Sequence, residues 1–120
     1  MTVAQRLAFW RLALFSAAGF AVVMAVIPHP PHVLDNIWDK WQHMTAFGVL
    51  TVLSVLAYPR TPLGRVGERL SFLGAMIEVA QSIPALHRDC DIMDWVADTS
   101  VIIGVLVVVR LARGGRAATP

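Results

Sequence analysis

The sequence predicts an all-α integral membrane protein, a four-helix bundle with both termini cytoplasmic. Three observations carry this expectation. Of 120 residues, 57% are hydrophobic and 15% charged, with a mean hydropathy of +0.64. A water-soluble domain of this size needs more polar surface to cover its core. The apolar residues gather into four runs divided by proline-bearing breaks, each close to the roughly 20 residues that cross a bilayer. When the runs alternate in direction, eight of the ten basic residues fall on one side.

The first run, about 7–27, is "LAFWRLALFSAAGFAVVMAVI", and the "PHPPH" segment ends it. Those prolines break a helix and favour a stiff extended loop. A basic start followed by an apolar stretch also suits a secretory signal. No small-x-small cleavage site follows, so an uncleaved first span is expected. Ala17, Ala21 and Ala25 recur on one face of this run, a weak sign of helix packing. The second span runs from about 39 to 58 and is closed by Pro59, and the third from about 65 to 83, closed by Pro84. The fourth runs from about 93 to 111, leaving 112–120 as a loose tail on a single-domain chain. Short connections make consecutive helices antiparallel neighbours.

Charge sets the orientation. Arg6, Arg11, Arg60, Arg65, Arg69, Arg110, Arg113 and Arg116 share one side with one acid, Glu68. The other side holds Lys40 and Arg88 against Asp35, Asp39, Glu78, Asp89, Asp91, Asp94 and Asp98. Positive loops stay inside, so both termini are expected to be cytoplasmic. Trp38, Trp41 and Trp95 then fall at the outer interface and Trp10 at the inner one. The arginines lie beside apolar segments rather than in a stripe with exposed aromatics, which argues against nucleic acid.

Three helices should deliver polar residues to similar depth near the outer end. Asp39 and His43 are spaced i, i+4 on the second, Glu78 and Gln81 i, i+3 on the third. On the fourth, Asp91, Asp94 and Asp98 form a stripe. An ionisable group costs roughly 2.5–3.5 kcal/mol at a span's centre, and less near the interface with a partner, so Glu78 should face the bundle. Arg88 sits above in the connecting loop, and His29, His32 and His87 lie on the same side. Polar groups also hold membrane helices together, the role expected first of Gln81 and Asp39. Glu78 and Asp98 are the stronger candidates for function.

Other chemistries find little support. The candidate ligands come singly from separate helices, without an H-E-x-x-H pair or a cysteine cluster, so no metal site or other cofactor is expected. The aspartates near residue 90 lack the glycine and closing glutamate of an EF-hand. Ser54 and Ser71 have no base at readable spacing. The single cysteine, Cys90, forms no internal disulfide.

The segments "DKWQHMTAFGVLTVL" (39–53), "GAMIEVAQSIPALHR" (74–88) and "DWVAD" (94–98) resemble the VanZ-like family. Its pattern is Asp-Lys-x-x-His, then Glu-x-x-Gln, then Arg, then Asp-x-x-x-Asn leading into a glycine-bearing last helix. The matching residues are Asp39, Lys40, His43, Glu78, Gln81, Arg88 and Asp94. Two positions depart: Asp98 stands where the family has asparagine, and Val101 where it has glycine. The added carboxylate would repel Asp94 or Glu78 unless protonated or bridged by a cation, and the valine would hold the fourth helix away from its neighbour.

The resemblance implies a small bacterial plasma-membrane protein in a context of resistance to teicoplanin, a lipid-bearing glycopeptide acting at the cell envelope. The resulting expectation is an outward-facing polar pocket for a lipid-linked or amphiphilic envelope ligand. Its candidate residues are Asp39, Lys40, His43, Glu78, Gln81, Arg88, Asp94 and Asp98. Lys40 and Arg88 would pair with phosphate or carboxylate, while Glu78, His43 and Asp98 orient or protonate the ligand. Two alternatives stay open. One is a small membrane enzyme with Glu78 or His43 as acid–base; the other is a structural or accessory subunit. Four spans are few for a monomeric transporter, so transport would need an oligomer.

Overall fold

The computed structural model describes the backbone of residues 1–26, 36–83 and 92–117, and the side chains of 1–26, 41–83 and 92–114. The described residues form helices and short turns without strands: α1 (Val3–Val26), α2 (Asn36–Ala57), α3 (Leu63–Gln81) and α4 (Ile92–Ala117).

α1 begins ahead of the expected span because Thr2 and Gln5 form a capping box. Gln5 N–H donates to Thr2 Oγ1 at 3.1 Å and Thr2 N–H donates to Gln5 Oε1 at 2.9 Å. Two donors that the first turn would otherwise leave orphaned are thereby satisfied. The α2–α3 connection is a tight turn in which Thr61 N–H donates to the Tyr58 carbonyl at 3.1 Å. Pro59 takes its second position, where a fixed φ is an advantage. α3 ends at Gln81 with one further turn, Ile83 N–H reaching the Ala80 carbonyl at 3.1 Å. α4 continues to Ala117, so the tail expected from residue 112 is helical through that point. Its leucine, alanines and arginines are good helix formers, and two glycines at about 1 kcal/mol each do not stop it.

Two of the four expected spans, Val3–Val26 and Ile92–Gly114, are long and apolar enough to cross a membrane. Only 11% of each span's most apolar window is buried, so neither is the enclosed core helix of a water-soluble domain. The apolar stretch of α2 is shorter, Trp41–Ala57, and α3 carries Arg65, Glu68, Arg69 and Glu78.

The helices form a ring in the order α1, α2, α4, α3, with α2 and α3 also meeting across it. Direction follows from the contacts. The Arg11 side chain meets Ala57, so α1 and α2 run antiparallel. Ser71 meets Thr99, while a Cβ at Gly67 would lie 3.0 Å from Leu106, so α3 and α4 also run antiparallel. His43 faces Asp98 and Gly48 faces Val101, so α2 and α4 are parallel.

Large apolar side chains stand on the exterior of the described helices. Phe9, Leu12, Phe15, Phe20, Phe72, Val108 and Leu111 are all more than half exposed. Inside, beside Phe47, Leu50 and Ile102, lie Thr51, Ser54, Glu78, Gln81 and Asp98. Thr51 satisfies its hydroxyl within its own helix, donating to the Phe47 carbonyl at 2.6 Å.

Candidate functional site

The bundle-facing stripe of α3 is Val66, Leu70, Gly74, Ile77, Glu78 and Gln81. Glu78 stands one turn after Gly74 on this stripe, which is why an acid in an apolar run points inward rather than at the surroundings. Three helices converge around Gly74. A Cβ there would lie 3.4 Å from both the Phe47 ring of α2 and the Trp95 ring of α4. The same periodicity turns His43 inward one turn before Phe47, and Asp98 one turn before Ile102. Helical spacing on three elements therefore meets at one end of the bundle.

Asp98 is the most enclosed of the group at 2% exposure. His43 Nδ1 lies 3.9 Å from Asp98 Oδ2, an ion-pair distance longer than a hydrogen bond. Asp98 Oδ1 has no hydrogen-bond partner among the described residues. Glu78, 5% exposed, and half-buried Asp94 lie toward the same end of the bundle on α3 and α4. Among the described residues, no group of three His, Cys, Asp or Glu side chains is placed to hold a metal ion.

Gln81 does something different. Its Nε2 donates to the carbonyl of Ala25 at 3.0 Å, both residues being buried. Ala25 lies in the last turn of α1, where carbonyls lack intrahelical donors, so Gln81 caps α1 from a neighbouring helix. Asp39 and Lys40 lie in the first turns of α2, but their side chains, and Arg88 altogether, are outside the described residues. The same holds for His29, His32, His87, Cys90, Asp35, Asp89, Asp91 and the Trp38 side chain.

Trp95 is half-buried in the α3–α4 seam, its indole N–H donating to the Ser71 carbonyl at 3.0 Å. Ser71 Oγ and Thr99 Oγ1, 3.0 Å apart, complete that polar seam. Trp41 is 60% exposed. Val101 does not force α4 away from α2: it packs against Gly48, where a Cβ would lie 3.4 Å from Val101 Cγ1. The small residue of this contact is on α2.

Along the outside of the same α2–α4 seam runs an apolar groove of about 560 Å³, lined among others by Trp41, Met44, Gly48, Val52, Val101 and Val105. Met44 follows His43 in α2, and Val101 lies about one turn after Asp98 in α4. The groove runs along the seam from Trp41 toward Val105, and neither His43 nor Asp98 lines it. Comparison with protein-family models, curated proteins and solved structures returned no match.

Proposed function

We propose that this chain is a VanZ-like, four-span protein of the bacterial plasma membrane with both termini in the cytoplasm. Its His43–Glu78–Asp94–Asp98 cluster then opens toward the outer leaflet and holds the polar head of an amphiphilic or lipid-linked envelope ligand. One observation carries this reading: buried Asp98, one oxygen of which lacks a described partner, lies inside the α2–α4 seam whose outer side bears an apolar groove. An amphiphile matches that pair of environments, its chain along Met44, Gly48 and Val105 and its head toward the end of the bundle that holds His43 and Asp98.

The exposed apolar side chains, with Thr51, Ser54, Glu78, Gln81 and Asp98 buried inside, support the membrane setting. In lipid the solvent is as apolar as leucine, so polar groups are driven inward. Lys40 and Arg88 supply the cationic contacts to a phosphate or carboxylate on the ligand, and His43 is the group able to exchange a proton with it. Gln81, bonded to Ala25, favours a purely structural role for itself.

The test is intact-mass measurement of protein extracted gently in native lipid, beside Glu78→Gln. A stoichiometric amphiphile present in the wild type and absent in the variant is the expected result. Bare protein in both samples, with the variant merely less stable, would leave the cluster as a structural bond between helices.

A further inference from the structure

At the opposite end of the bundle a cleft of about 600 Å³ opens between α1 and the α2–α3 turn. Arg6 and Arg11 line it from α1 and Arg60 from the turn, with Leu7, Leu56 and Tyr58 forming much of the remaining wall. No carboxylate lines it, and none of these arginines is ion-paired with a described residue. Three guanidinium groups around one cleft repel one another unless an anion shares the space.

Arg11 is already oriented. Its Nε donates to the Ala57 carbonyl at 3.1 Å, an acceptor left open at the C-terminus of α2, and its guanidinium lies 4.5 Å from the centre of the Tyr58 ring. Held from two sides, the group keeps its terminal N–H donors for a ligand and gives up little freedom on binding one. Planar forked donors fit the oxygens of phosphate. The apolar wall beside them suits the part of a phospholipid just below its headgroup.

We propose that this cleft is an anion site for a phosphate group, presented by an acidic phospholipid or by a soluble phosphate ester. The site lies at the other end of the molecule from the His43–Asp98 cluster and stands or falls independently of it. The variant Arg6→Gln/Arg60→Gln removes two exposed guanidinium groups that make no described side-chain bond, and leaves Arg11 to brace α1 on α2. Its control is Arg110→Gln/Arg113→Gln, which removes the same charge outside the cleft.

Full-length protein is extracted from membranes containing phosphatidylglycerol and phosphatidylethanolamine, washed in detergent, and its retained lipid counted by intact mass. Wild type and control should each keep one phosphatidylglycerol, with occupancy at least tenfold lower in the cleft variant. Lipid-free protein is then titrated with inorganic phosphate and followed by thermal shift. A rise in wild type and control, but not in the cleft variant, without lipid retention assigns the same cleft to a soluble phosphate ester. Equal losses in the two double variants, or no response to either probe, would overturn the proposal.

Discussion

Replacing Asp98 by asparagine keeps shape and removes one charge from the most enclosed acid among the described residues. With a charged His43 at 3.9 Å, the pair gains about 4 kcal/mol at an effective dielectric of about 20. Burying a carboxylate costs several kcal/mol, and Asp98, with a 3%-exposed side chain, recovers little by hydrogen bonding because Oδ1 lacks a described partner. The two contributions nearly cancel. The His43 side chain is 17% exposed, so it can shed its proton once the carboxylate is gone. Asp98→Asn should therefore leave stability within about 1 kcal/mol of wild type, or raise it slightly, while ligand retention falls. The assay is thermal unfolding in ligand-free detergent, since a ligand bound only to the native state would add its own stabilisation. A loss of about 3–5 kcal/mol, the cost of breaking a buried ion pair that holds the bundle together, would refute the reasoning.

Other substitutions probe the scaffold. Gln81→Leu should lower stability by about 0.6–1.7 kcal/mol, the range for interhelical hydrogen bonds in membranes, by stripping the Ala25 carbonyl of its donor; thermal unfolding in detergent measures it. Gly74→Ala should be close to neutral, since its Cβ meets Phe47 and Trp95 at 3.4 Å, whereas Gly74→Leu should cost about 3 kcal/mol by overpacking. Trp95→Phe keeps the ring against Gly74 and loses the bond to Ser71, which should cost about 0.5–1.5 kcal/mol in the same assay.

Helix number and the inward face of the polar stripes were legible because they rest on periodicity alone. Glu78, His43 and Asp98 each sit one helical turn from a bulky or close-packed inward residue, and spacing within each helix places them on the bundle side. The early start of α1 was also written in the sequence, as Thr2 followed three residues later by Gln5, a capping signature outside the apolar run. What spacing could not supply was partnership between helices. That Gln81 reaches Ala25, that Trp95 turns into the α3 seam, and that Gly48 makes room for Val101 all depend on which helices are neighbours. The ring order sets those neighbours, placing α2 beside α4 and making them parallel. Arg11 was read as one more topology charge for the same reason: its contacts, Ala57 and Tyr58, lie on another helix and turn.

The orientation of the carboxylate cluster is open to direct measurement through the chain's single cysteine, Cys90, which falls between α3 and α4 at the cluster's end. Intact spheroplasts expressing the protein are treated with a membrane-impermeant maleimide before and after permeabilisation, with Gly114→Cys in a Cys90→Ser background as the opposite marker. The account predicts that Cys90 reacts in intact spheroplasts, whereas the cysteine at position 114 reacts only after permeabilisation. Labelling of Cys90 only after permeabilisation, or recovery of the protein outside the membrane fraction, would contradict it.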